Sequence, residues 1–348
     1  QLYDPVDSAS LLYYKEAKNG QILEEGITEA GSMSSFIAAG TSYATHGIPM
    51  IPFFIFYSMF GLQRIGDLVW AAADMQARGF LIGGTAGRTT LAGEGLQHQD
   101  GNSHLLAYPV PNLVTYDPSY AYEIAVILRE GMRRMYEEQE NVFYYITIEN
   151  ENYVQPPMPE GDNIEEGILK GLYLLKKSDM KKPKHTAEIM ANGSILNEAL
   201  KAAAMLEENY GVATNVYSAT SYKQLHNDGL EVERWNRMHP TEEPRVPYVS
   251  QMLDGAEGAI VAATDYVKAL PDTICRWTPG GLISLGTDGF GRSEVPAQLR
   301  DFFEVDARFI TLAALSHLKK KEMLDGSVVA QAMQDLGIDP EKANPMIA

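Results

Sequence analysis

Met50-Ile51-Pro52-Phe53-Phe54-Ile55-Phe56-Tyr57 is an apolar, aromatic run of strand type. A helical pattern over 60–78 and a second apolar run, Phe80-Leu81-Ile82, follow it. Strand, helix and strand in that order predict a crossover that lays the two strands side by side in parallel. The pattern recurs: Leu113 to Tyr116 and Val142 to Ile148 read as strands, and 119–138 reads as a helix. That helix carries apolar residues at three-and-four spacing, with Glu123 early and Arg133 and Arg134 late, as the helix dipole favours; Gly131 weakens it. The fold class expected is α/β, two doubly wound and mostly parallel sheets.

Tyr153-Val154-Gln155-Pro156-Pro157-Met158-Pro159-Glu160-Gly161-Asp162 resists both helix and central strand because of its prolines. It predicts a linker at about 153–163 between a first domain, 1–155, and a second, 156–348. Beyond it, Ala187 to Ala191, Ala213 to Ser218, Ala259 to Ala263 and Leu282 to Leu285 read as strands, and 194–208 as an alanine-rich helix. Ala307 to Lys320 reads as a strand or helix start running into an amphipathic helix.

A length of 348 residues and a hydrophobic fraction of 45% suit two domains with their own cores. The net charge of -18 opposes a nucleic acid backbone or an anionic membrane as partner. The apolar stretch 48–60, broken by Pro49 and Pro52, is too short to span a bilayer. A lone Cys275 fits a reducing cytoplasm. The opening at Gln1, without a secretory signal pattern, predicts a fragment of a longer chain.

The loop Gly93-Glu94-Gly95-Leu96-Gln97-His98-Gln99-Asp100-Gly101-Asn102-Ser103-His104 crowds two imidazoles and two carboxylates into a segment too glycine-rich for regular structure. Loops at strand ends are where α/β proteins keep reactive side chains. His98, between Glu94 and Asp100, is the best acid/base candidate, because a neighbouring carboxylate holds an imidazolium in place. Glu94, His98 and His104 are legitimate zinc donors, but their spacing matches no established zinc pattern, so no metal ligands are assigned. Glu29 lies among small and apolar residues, where a carboxylate needs a partner. Gly83-Gly84-Thr85-Ala86-Gly87-Arg88-Thr89 lacks the Gly-Lys-Ser/Thr ending of a phosphate loop and reads as a tight turn, as does the stretch 286–293.

Three stretches together resemble one family: 20–29, ending in Gly26-Ile27-Thr28-Glu29; 56–67, from Phe56-Tyr57-Ser58-Met59-Phe60; and Gly93-Glu94-Gly95-Leu96-Gln97-His98. The family is the decarboxylating component of bacterial pyruvate dehydrogenase complexes, of the homodimeric, thiamine-diphosphate-dependent type. The likeness continues through Leu285-Gly286-Thr287-Asp288-Gly289-Phe290-Gly291-Arg292-Ser293. It implies a transketolase-like pyrimidine-binding domain followed by a transketolase-like C-terminal domain. The domain that holds the diphosphate and magnesium through a Gly-Asp-Gly motif has no counterpart here.

By that resemblance, Glu29 hydrogen-bonds the cofactor's pyrimidine ring and promotes its imino tautomer, and Phe60 packs on the ring. Tyr57 lies close to the reacting centre. Glu94 and His98 are active-site residues, His98 orienting pyruvate or moving protons as the acetyl group passes to a lipoyl group. The implied partners are a second copy of the chain and a lipoyl-bearing dihydrolipoyl acyltransferase. Two alternatives stand beside this: a catalytically incomplete dimerisation and docking fragment, or a component acting on another 2-oxo acid.

Overall fold

The computed structural model describes residues 19–161 and 163–348, so Gln1 and Asp162 lie outside the described residues. Four strands make the first sheet: β1 (Phe53–Tyr57), β2 (Phe80–Ala86), β3 (Leu113–Tyr116) and β4 (Phe143–Glu149). Their order is β1-β2-β4-β3 and every neighbouring pair is parallel. The aromatic residues explain the centre of this sheet, since Phe143, Tyr144, Tyr145 and Ile146 of β4 are fully buried.

Three helices matter for the site: α1 (Glu29–Gly40), α2 (Leu62–Asp74) and α3 (Ala121–Met132). Thr28 starts α1 by accepting the Gly31 N–H at 3.2 Å, which places Glu29 in the first turn, where the helix dipole favours a carboxylate. The helix expected over 60–78 is shorter, because Ser58–Phe60 forms a separate 3₁₀ turn and the chain leaves the helix after Asp74. Gly131 is buried inside α3, which continues as a π-helical turn over Arg133–Glu137.

Gly83 and Gly84 form part of β2 rather than a tight turn, pairing with Phe56 and Tyr57 of β1. A Cβ on Gly83 would stand 2.6 Å from the Tyr145 hydroxyl, so glycine is required by the close approach of the neighbouring strand. The ladder slips between Gly83 and Ala86, and Thr85 takes a φ of 53° there. This bulge turns the strand end so that Gly87 meets Asp100 in an isolated antiparallel bridge.

The second sheet has the order β5-β7-β6-β8-β9. It is built from β5 (Tyr173–Lys176), β6 (His185–Ala191), β7 (Val212–Ser218), β8 (Ala259–Ala263) and β9 (Ile283–Leu285). β5 runs antiparallel to β7, and the other pairs are parallel. Flanking helices include α4 (Ile195–Met205), α5 (Tyr222–Met238) and α6 (Ala307–Lys320). The last of these is helical from its first residue, with no strand at its start, because Asp306 caps it by accepting from the N–H groups of Arg308 and Phe309.

Buried polar contacts tie the two sheets together. The Lys223 ammonium of α5, 2% exposed, donates to the carbonyl oxygens of Ala107, Val110 and Leu113 at 2.7 to 2.8 Å. Glu123 of α3 accepts from Tyr173 and Ser218 of the second sheet, both at 2.6 Å. Such contacts replace water for groups that would otherwise be buried without partners.

Candidate active site

Phe60 stands at the end of the 3₁₀ turn after β1, and the predicted residues gather around its ring. The Arg64 guanidinium, one turn into α2, lies over that ring at 4.2 Å and donates to Glu29 Oε1 at 3.2 Å. The His98 ring meets Phe60 edge to face with centroids 5.1 Å apart, and Tyr57 lies 5.9 Å from the same imidazole. Glu94 Oε2 is 3.0 Å from His98 Nδ1. Residues from α1, the β1 end, α2 and the 93–98 loop therefore meet in one place.

Glu29 is not enclosed by apolar groups: its side chain is 21% exposed, its neighbour Ile27 is fully exposed, and its partner is Arg64. The Glu94–His98 pair is also open, at 50% and 30% side-chain exposure, so its Coulomb energy is screened and amounts to about 1 kcal/mol or less. Its atoms are close but poorly aligned for a hydrogen bond, His98 Nδ1 being buried without a well-directed partner.

The loop that reads as one acid/base cluster is divided in two by the fold. Asp100 does not pair with His98; it is fully buried and accepts from the N–H groups of Asn102 and Ser103 at 3.0 and 2.9 Å, shaping the turn into the helix Ser103–Leu106. His104, 4% exposed, faces inward, its Nε2 2.8 Å from Thr147 Oγ1. The Thr147 hydroxyl in turn donates to Asp117, so His104 supplies the hydrogen from Nε2. Burial, aided by the Lys223 charge, pushes the His104 imidazole down to about 3, and it remains neutral.

Sequence reasoning missed Arg64, which looks like an ordinary surface helix residue until α1 and α2 are packed together. It also missed the buried acids between the sheets. Burial raises the Asp117 carboxyl to about 6 and the Asp265 carboxyl to about 7. Asp117 accepts from Asn192 and Tyr266, and Asp265 from the Thr89 N–H. Among the described residues, no three His, Cys, Asp or Glu side chains stand together to hold a metal ion. A cleft of about 420 Å³ between Glu151 and residues of the second half shares none of the residues around Phe60. Its cations Lys201, Arg300 and Arg308 are already paired with Glu198, Glu151 and Asp306.

Residues 1–156 match the model of the pyruvate dehydrogenase E1 component middle domain, and residues 171–306 match that of the transketolase-like C-terminal domain. The pyruvate dehydrogenase E1 component of Pseudomonas aeruginosa is 57% identical over 347 residues, covering 99% of this chain and 39% of that protein. The one of Escherichia coli K12 is 53% identical over 350 residues, covering 100% and 39%. The chain thus spans 39% of the length of these relatives. Among solved structures, transketolase from Leishmania mexicana superposes with a TM-score of 0.60 at 16% identity, over 85% of this chain and 37% of that one. A split-gene transketolase, an inactive beta4 tetramer, gives 0.58 at 18% identity, over 84% and 83%. At such identities the structural likeness shows the fold alone: two transketolase-like α/β units.

Proposed function

The chain belongs to the pyruvate dehydrogenase E1 component family, and from that premise we propose that Glu29, Tyr57, Phe60, Glu94 and His98 form one side of the active centre of an enzyme that decarboxylates pyruvate with thiamine diphosphate. The acetyl unit then passes to lipoyl-lysine on a dihydrolipoyl acyltransferase. One observation carries the reading: a planar, N–H-bearing group already lies on the face of Phe60 and donates to Glu29, in the form of the Arg64 guanidinium. An aminopyrimidine, flat and able to present an N–H once a ring nitrogen is protonated, fits the same aromatic face and the same carboxylate. Thiamine diphosphate, when bound, supplies the electron sink for decarboxylation.

The side chains do the rest. Phe60 fixes the plane of the ring, and Glu29 Oε1 holds or moves a proton at a ring nitrogen. Glu94 steadies His98 from the Nδ1 side, leaving Nε2 to orient substrate and to carry protons during acetyl transfer. In this reading the polypeptide holds the pyrimidine side only, the diphosphate and magnesium being bound by residues outside it, so that on its own it is inactive. The division into domains at about 153–163 belongs to the same reading.

A second copy of the chain is the proposed partner at β1. That strand lies at the edge of its sheet and exposes Phe53, Ile55 and Tyr57 at 51%, 71% and 55%, beside exposed Ile48 and Met50. No helix among the described residues is long and apolar enough to cross a membrane, and a cytoplasmic location accords with the lone cysteine. Glu29→Gln in the intact enzyme tests the assignment: decarboxylation is expected to fall about 10²-fold or more with an unchanged circular dichroism spectrum. Near-normal turnover would remove Glu29 from the mechanism.

A further inference from the structure

Between the two halves, one buried amide grips the base of the loop that carries Glu94 and His98. Gln99 is 1% exposed. Its Nε2 donates to the Leu91 carbonyl at 3.2 Å, drawing the two ends of the loop together. The same nitrogen donates to the Arg292 carbonyl at 2.7 Å, and Oε1 accepts the Arg292 N–H at 2.7 Å. The side chain thus pairs with a single residue of the second half as a neighbouring strand would, by one donor and one acceptor.

The surroundings leave no slack. A Cβ on Gly291 would lie 2.5 Å from Gln99 Oε1 and 3.0 Å from the Leu96 carbonyl oxygen, so the backbone of the 286–293 stretch packs directly against the loop. Arg88, 7% exposed, reaches the same stretch from the bulged end of β2 and donates to the carbonyls of Thr287 and Gly289. Leu96, Gln97 and the Glu94 side chain are by contrast open to solvent. A loop that is exposed along its length and held at its base takes its position from the base.

We propose that Gln99 is a positioning residue through which the second half of the molecule, by its 286–293 stretch, sets the place of Glu94 and His98. The proposal rests on the catalytic reading of those two residues. It gives the C-terminal unit a part in the reaction, although none of the residues around Phe60 comes from that unit.

The test uses the intact enzyme with His98→Ala, Gln99→Met and the double variant, and Gly291→Ala as a perturbation from the opposite side. Gln99→Met is expected to lower kcat about ten- to hundredfold with little change in the KM for pyruvate. In the His98→Ala background, Gln99→Met is expected to add almost nothing, because both changes remove the same function. Hydrogen exchange of the 92–98 amides is expected to speed up about tenfold in both Gln99→Met and Gly291→Ala, independently of turnover. Multiplicative losses in the double variant, or unchanged exchange in the loop, would overturn the proposal. Full activity in His98→Ala would instead sink the catalytic reading beneath it, and the two failures are thereby told apart.

Discussion

His104 gives a prediction whose size follows from its surroundings. The imidazole titrates at about 3 in the folded chain and near 6.5 when unfolded. Between those values the unfolded chain binds one more proton, so stability is lost as pH falls below 6.5. The slope approaches about 1.4 kcal/mol per pH unit, which makes the loss at pH 5 about 2 kcal/mol. Asp117 and Asp265 act in the opposite direction in the same window, since their raised carboxyls, at about 6 and about 7, already bind protons in the fold where the unfolded acids do not. The profile of the parent is therefore a sum of opposed effects, and only a difference isolates the imidazole.

His104→Gln is the informative change, because glutamine keeps an N–H for Thr147 Oγ1 and cannot titrate. It forfeits the ring contacts to Tyr145 and Tyr266, at 5.4 and 4.9 Å, and should cost about 1 kcal/mol at pH 7. Guanidinium unfolding of both proteins at pH 7 and pH 5 should show the parent losing about 2 kcal/mol more than the variant over that interval. Identical shifts in the two proteins would refute the assignment of His104 as a neutral, buried donor.

Two further outcomes are expected. Lys223→Met leaves three carbonyl oxygens of the first half without their ammonium donor and should destabilise the chain by about 3 kcal/mol, read from the denaturant midpoint; a change below 1 kcal/mol would mean the clasp between the halves is unimportant. If two copies pair through β1 as proposed, Ile55→Asp on its exposed face should shift the sedimentation velocity of the intact enzyme to that of a smaller species, and an unchanged sedimentation coefficient would remove β1 from any interface.

Much of the fold is legible in the sequence because its strands are short apolar runs bounded by turn residues. Leu113–Tyr116 and Ala259–Ala263 appear with the bounds their composition suggests. Tyr173–Lys176 escaped notice, since an antiparallel edge strand with a lysine end lacks the apolar continuity of a central one. The 17-residue helix Tyr222–Met238 escaped for a related reason: it is predominantly polar, and it is defined by a Ser221 cap accepting the Gln224 N–H and by a buried stripe that includes Leu225 and Val232.

The amino-acid order alone determined the two α/β units, the absence of a zinc spacing in the 93–104 loop, and, through long matching stretches, the family and the candidates Glu29, Tyr57, Phe60, Glu94 and His98. Only the tertiary structure decided which polar groups face one another. It paired Glu29 with Arg64 across 35 positions and turned His104 inward while leaving His98 half-buried. It also set the Gln99 amide against Arg292, 193 positions away. Strand and helix periodicity are local properties that neighbouring residues fix. Hydrogen-bond partners and the burial that shifts a titration depend on where remote segments come to rest, and no local pattern encodes that.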